Sequence, residues 1–182
     1  SAAVGITQAQ MLLNESQREQ ALATLLQLHS DSPRHGHVLE LLSQLHAELE
    51  NWRSLLDLVP ALRMQKVVSK RQGDALEVKS HLGLLIDSVL DGEPSLQQQW
   101  ETIPKTMREN VDLIGAYVEL CLELGQSKSG ERGLFAAINR HWDDRLVYLY
   151  GMVESDNPKH QLNDAEKWLA GREEHATLLL TL

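Results

Sequence analysis

The chain has 182 residues, 42% of them apolar, and a net charge of −9 at pH 7. That length holds one sizeable core or a short run of repeats, and the acidic balance argues against a broad basic face for nucleic acid or anionic lipid. A single cysteine, Cys121, excludes an intramolecular disulfide framework, and no apolar run approaches the ~18 residues of a membrane span.

Leucine dominates the apolar residues, with glutamine, glutamate and alanine plentiful. Unbranched side chains lose little rotamer freedom in a helix, so this mixture favours helix over strand. The chain enters helical pattern almost at once in "SAAVGITQAQ" and stops inside the apolar run "HATLLLTL". No signal-peptide pattern opens it. The sequence therefore reads as an excerpt of a longer protein.

Apolar stripes of helical period recur along the chain. Val38, Leu42, Leu45 and Leu49 form one; Val78, Leu82, Leu85 and Val89 a second; Met107, Val111, Ile114, Val118 and Cys121 a third. Breaks fall at 14–16, Ser30 to Pro33, Glu50-Asn51, Asp91 to Ser95, Gly125 to Ser129, 156–158 and Gly171. Each offers turn or cap chemistry. The pattern predicts about nine or ten helices joined by tight turns as antiparallel hairpins. Pro60 falls inside a strong helical pattern, where it removes a hydrogen bond and marks a bend. Pro94 and Pro104 bracket a short helix carrying Trp100.

A shift of about 34 residues lays 12–25 over 46–59. Leu25 then falls on Val59, Leu28 on Leu62 and Ala9 on Ser43. A third copy fits 111–142. The expected fold is all-α: a tetratricopeptide-like solenoid of helical hairpins, a right-handed superhelix of antiparallel pairs, forming one domain over 1–182. Its parts are a regular block (1–63), an irregular helical insert (64–104) and a second block (105–182) truncated at its end.

No enzyme chemistry stands out. The H-E-x-x-H spacing is absent, one cysteine cannot supply paired thiolates, and no metal site is expected. "GQSKSGER" (125–132) spaces its glycines like a phosphate loop, but Glu131 and Arg132 stand where Lys and Ser/Thr are required. Asp143 and Asp144 read as helix-start caps, and Cys121 as a core residue. Arg63, Lys66, Lys70 and Arg71 read as a solvated connecting segment. In a stack of hairpins the first helices line a concave groove. The repeat frame places His37, Glu40, Gln44 and Glu48 on it in one unit, and Asp112, Glu119 and Glu123 in another. This mostly acidic groove would favour a partner protein bearing Lys or Arg.

Two longer matches carry a family resemblance. "NWRSLLDLVPALRMQKVVS" (51–69) has a Trp, then Ser-Leu-Leu-Asp, then an aliphatic pair and Pro. "HWDDRLVYLYGMVESDNPKHQLNDAEKWL" (141–169) has an aromatic, Asp-Asp-Arg-Leu and a later Asn-Pro. With the Pro-Arg-His of 33–35, these resemble the HemY family in order and spacing. The family consists of tetratricopeptide-containing inner-membrane proteins of Gram-negative bacteria, associated with haem biosynthesis. The resemblance implies two membrane helices before a cytoplasmic repeat domain, and neither is in this sequence. It implies association with a late step of haem (protoporphyrin) synthesis, with enzymes of that pathway as partners. It implies no catalytic residue, and the glycine pattern of the flavoenzyme that shares the name is missing. The expected role is a non-enzymatic scaffold without a cofactor. The alternative is a haem or tetrapyrrole carrier with His29, His35, His37 or His46 as axial ligand; an enzyme of porphyrin oxidation is a third.

Overall fold

The computed structural model describes residues 2–92 and 95–170, with the backbone alone at Leu169. Pro94, Gly171 and the run 175–182 lie outside the described residues. Among those described there are ten helices and no strand: α1 (Ala2–Asn14), α2 (Arg18–Asp31), α3 (Gly36–Glu48), α4 (Trp52–Met64), α5 (Lys70–Asp91), α6 (Leu96–Thr102), α7 (Val111–Glu123), α8 (Glu131–Arg140), α9 (Asp144–Met152) and α10 (Pro158–Leu169). The all-helical architecture follows from the leucine-rich composition and the 3.6-residue periodicity. The chain divides into two compact units, residues 1–84 and 85–182, with the boundary inside α5.

In the first unit the elements recur at a fixed offset. The bounds 2–14 of α1 return as 36–48 in α3, and the starts of α2 and α4 are 18 and 52. The turns recur too: Ser16 and Glu50, each two residues past a helix end, take left-handed φ of 61° and 55°. That conformation stops a helix and lets the amides beyond it satisfy the last free carbonyls. Here Gln17 N donates to Leu12 O and Asn51 N to His46 O, at 2.8 and 2.9 Å. Consecutive helices then pack on one another from α1 to α4. They close around Ala9, Leu25, Leu39, Leu42, Leu45 and Leu62, each 0–1% exposed.

The break at Ser30–Pro33 ends α2, where Ser32 N bonds Leu28 O at 2.9 Å. α4 runs on through Pro60, which is exposed. The indole of Trp52, the first residue of α4, lies against α5 at Gly83, where a Cβ would overlap it. Lys79 Nζ sits 5.7 Å from the Trp52 ring centroid. Arg63 leaves the solvated quartet to become a strap. Its guanidinium forks onto Glu77 at 2.9 Å twice and reaches Asp74 at 2.6 Å, lying over Gly73.

α5 departs from the simple stripe. Of Val78, Leu82, Leu85 and Val89, only Leu85 is fully buried, while Ser80, His81 and Ser88 are 0–4% exposed. Two glycines of this helix make room for α4, Gly73 under the Arg63 guanidinium and Gly83 under the Trp52 indole.

In the second unit α6 opens with a reciprocal cap between Ser95 and Gln98. Its Trp100 stacks on Tyr117 of α7 at 4.3 Å between ring centroids. The third apolar stripe is cut by a turn before α7. Asn110 caps that helix, accepting from Asp112 N and Leu113 N at 3.0 and 3.2 Å, and Met107 falls outside it. α7 packs against α8 and α9. Asp143 caps α9 through Leu146 N at 3.1 Å, as its position predicts. The glycine loop 125–130 is an inter-helix turn; Glu154 N donates to its Ser127 carbonyl at 2.8 Å, tying it to the α9–α10 turn.

Candidate interaction surfaces

On the first unit the face predicted from the repeat frame joins α1 to α3. Gln10 Nε2 lies 3.3 Å from His37 Nε2, and His37 Nδ1 lies 3.1 Å from Glu40 Oε2. The glutamine amide nitrogen only donates, so Nε2 of His37 accepts and Nδ1–H donates to Glu40. Gln44 is exposed on the same helix. Glu48 pairs with Arg18 of α2 at 3.1 Å, both about half exposed. Such a pair contributes only ~0–1 kcal/mol, so Glu48 stays open to exchange of partner. Gln10 was not singled out in the sequence, where nothing marks it beyond its place on α1.

On the second unit Asp112, Glu119 and Glu123 follow one another along α7 at spacings that keep them on one side. Glu119 is held by Arg145 of α9, Nε to Oε1 at 2.7 Å and Nη2 to Oε2 at 2.5 Å. The bidentate fork lies over Gly115, where a Cβ would stand 3.2 Å from the guanidinium carbon. The predicted acidic face therefore carries a fixed cation that the repeat frame missed. Arg145, Tyr148 and Met152 recur at i, i+3 and i+7, the signal that would have found them, and all three are exposed.

The four histidines weighed as haem ligands occupy four environments. His35 caps α3, its Nδ1 accepting from Val38 N at 3.4 Å. His37 bridges α1 and α3 as above. His29 is half-buried near the end of α2, with its Nδ1 enclosed and without a hydrogen bond. His46 is 5% exposed in the first core. Among the described residues no three His, Cys, Asp or Glu side chains stand together as a metal ligand set. Cys121 is fully buried, and burial pushes its thiol pKa up; a protonated, enclosed thiol is a poor nucleophile.

Burial lowers the pKa of both His46 and His81, and the Nδ1 of each lacks a hydrogen bond. Both are then neutral when folded, while the unfolded chain takes up protons near pH 6.5. Their neutral burial is compatible with full stability above about pH 6.5, and stability falls as the pH drops through that value. We expect the urea midpoint of the first unit to decrease between about pH 7.5 and 5.5; a flat profile over that window would contradict the buried neutral state.

A cleft of about 570 Å³ opens in the second unit between the start of α8, the α9–α10 turn and the start of α10. Most of its charges are engaged. Ser155 Oγ donates to Glu131 at 2.6 Å and Lys128 pairs with Asp156 at 3.1 Å. The buried Asp164 receives His160 Nδ1 and Lys167 Nζ, each at 3.0 Å. The Ser155–Glu131 and Lys128–Asp156 contacts fasten the α9–α10 turn to α8 and the loop before it, while the Asp164 pairs lie within α10. Glu131 and Arg132, which fail the phosphate-loop pattern, line this cleft.

No helix among the described residues is long and apolar enough to cross a membrane. No protein-family model matches the chain, and no solved structure matches it. Curated relatives do. The chain is 26% identical over 157 residues to Protein HemY of Escherichia coli K12, and to the same degree to Protein HemY of Escherichia coli O157:H7 and of Shigella flexneri. The similarity covers 86% of this chain and 39% of each relative, so the chain spans about two fifths of their length. The chain is thus similar, across most of its residues, to bacterial proteins named HemY.

Proposed function

We propose that the chain is the tetratricopeptide-like repeat part of a HemY-like protein, and that it is a non-enzymatic scaffold. It would gather partner proteins, enzymes of late haem synthesis, at the cytoplasmic side of a bacterial inner membrane. Two observations support this reading together. One is the similarity to HemY proteins over most of the chain. The other carries the binding argument: helix bounds and left-handed turns repeat at the tetratricopeptide interval in the first unit, and Gln10 of α1 reaches His37 of α3, which in turn meets Glu40.

In that arrangement the polar faces of α1 and α3 form a platform with Glu40, Gln44 and Glu48 exposed. Exposed acids steer a cationic partner and tune its on-rate more than they hold it. Glu40→Lys and Glu119→Lys are each expected to weaken retention of purified haem-synthesis enzymes by about threefold to tenfold, more at low salt. The comparison is between immobilised wild-type and variant domains. Retention that is equal for both, at every salt concentration, would sink the acidic-platform reading.

The tetrapyrrole-carrier alternative has one kind of observation in its favour, an enclosed and unbonded Nδ1 at two of the four candidate ligands, His29 and His46. It requires a Soret shift on adding haem that His29→Ala or His46→Ala abolishes. A spectrum unchanged by stoichiometric haem would leave the scaffold alone.

A further inference from the structure

We propose that the exposed face of α9 is the contact point in the second unit for a partner segment bearing a large apolar side chain beside a lysine or arginine. The inference rests on the scaffold reading above and names the place and the chemistry of the partner.

The face is built from Arg145, Tyr148 and Met152. The two apolar-bodied residues are 48% and 50% exposed, while their chain neighbours Val147, Leu149 and Tyr150 are 0–4% exposed. α9 thus spends its inner side on the core and keeps a tyrosine and a methionine outside. Tyr, Met and Arg are enriched in the centres of protein interfaces, where they give much contact area for little lost freedom. Arg145 is also fixed in advance. Its fork onto Glu119 and its seat over Gly115 hold the guanidinium before any partner arrives, which lowers the ordering cost of binding.

The charge around the face selects the partner. The chain reverses twice, at the α7–α8 and α8–α9 turns, so α7 and α9 run the same way. Arg145 stands level with Gly115 and Glu119, and Met152, two turns on, lies toward the level of Glu123. Glu119 and Asp112 of α7 and Asp143 at the start of α9 all act on Arg145, so three carboxylates surround one guanidinium that Glu119 already neutralises, at the Arg145 end of the apolar pair. A cation next to the apolar anchor meets uncompensated negative charge, whereas an acidic segment is repelled.

The four methionines, Met11, Met64, Met107 and Met152, give a direct test. The protein is labelled with ¹³C at the methionine methyl and titrated with a short capped peptide that holds one leucine between lysines. Two controls replace the lysines with glutamate or the leucine with glycine. The expected result is a saturable shift of the Met152 signal with the lysine–leucine peptide alone, weakened about tenfold or more by Tyr148→Ser. Tyr148 is exposed, so that variant keeps its fold. A response confined to Met11 would overturn this inference while leaving a scaffold that works through its first unit. An equal Met152 shift with the glycine control, or no shift at any peptide concentration, would overturn it as well. Failure of the wild-type domain to retain haem-synthesis enzymes would instead remove the scaffold reading.

Discussion

Tyr150→Ala is expected to lower the stability of the second unit by about 3–5 kcal/mol, the range for truncating a large buried aromatic. Tyr150 is 2% exposed and is the hub of an aromatic group. Its ring centroid lies 5.0 Å from Trp168, edge-on, and 6.4 Å from Phe135. Trp168 in turn meets Phe135 at 5.7 Å and donates from its indole to Asn139 Oδ1 at 3.1 Å. Removing the hub leaves a cavity between α8, α9 and α10 that these rings cannot fill together, and the lost contacts add to the lost burial. The hydroxyl is a smaller part of the account. It lies 3.5 Å from Asp164 Oδ2, at the limit of a hydrogen bond. Burial, with Asp164 close by, pushes its pKa well above the ordinary value, so it stays protonated. Asp164 keeps His160 and Lys167 when the hydroxyl is gone. Tyr150→Phe is therefore expected to cost no more than about 1 kcal/mol. Urea unfolding read by tryptophan fluorescence checks both, and a phenylalanine variant as unstable as the alanine one would show that the polar contact, not the packing, holds this corner.

Gly130→Ala is expected to cost about 2–4 kcal/mol for two separable reasons. Gly130 has φ of 92°, a region that any Cβ makes unfavourable by roughly 1–2 kcal/mol. A Cβ there would also overlap the Val118 side chain on α7, and overpacking a filled core costs about 1–3 kcal/mol more. The double variant Gly130→Ala, Val118→Ala, compared with Val118→Ala alone because that buried valine has a truncation cost of its own, separates the two. It should recover the overlap part and leave the conformational part, measured by the same unfolding curves. Gly125, with φ of 72° and open space around it, supplies the control: Gly125→Ala should show the conformational cost alone. The two glycines that looked like a phosphate loop are thus held by backbone geometry in a turn between helices.

How much of this was legible beforehand depends on whether an interaction is local. The caps were legible in part: Asp143 before α9, Ser95 before α6 and Asn157 before α10 act within three residues of themselves, so spacing reveals them, whereas Asn51 stands at the start of α4 without a side-chain cap bond. The 34-residue recurrence was legible as well, because each hairpin repeats the same local problem of ending one helix and starting the next. α7 starts at Val111, where the third copy was placed, but the apolar stripe hid the turn before it, since Met107 continues the apolar period while Asn110, four residues before Ile114, caps the helix from inside that stripe. α5 was misread in detail for a different reason. Gly73, Ser80, His81 and Gly83 are buried on it, and the arrival of Arg63 and Trp52 from α4 explains the two glycines. The candidate faces were half legible. Acids on α3 and α7 followed from the repeat frame, while Arg145, which neutralises Glu119, and Gln10, which fixes the tautomer of His37, lie 26 and 27 residues from their partners.

By itself, then, the sequence determined that this protein is helical over its described residues, where many of its helices stop, and that helix bounds recur along the first unit, because periodicity, capping and left-handed turns are set by neighbours a turn apart. Tertiary structure alone decided which polar residues are spent and which are open: Glu119 is forked by Arg145, His46 and His81 are neutral and enclosed, and Tyr148 and Met152 remain outside. Those outcomes depend on which helix lies alongside which, and a residue's charge, burial and freedom are settled by neighbours that the linear order does not bring near.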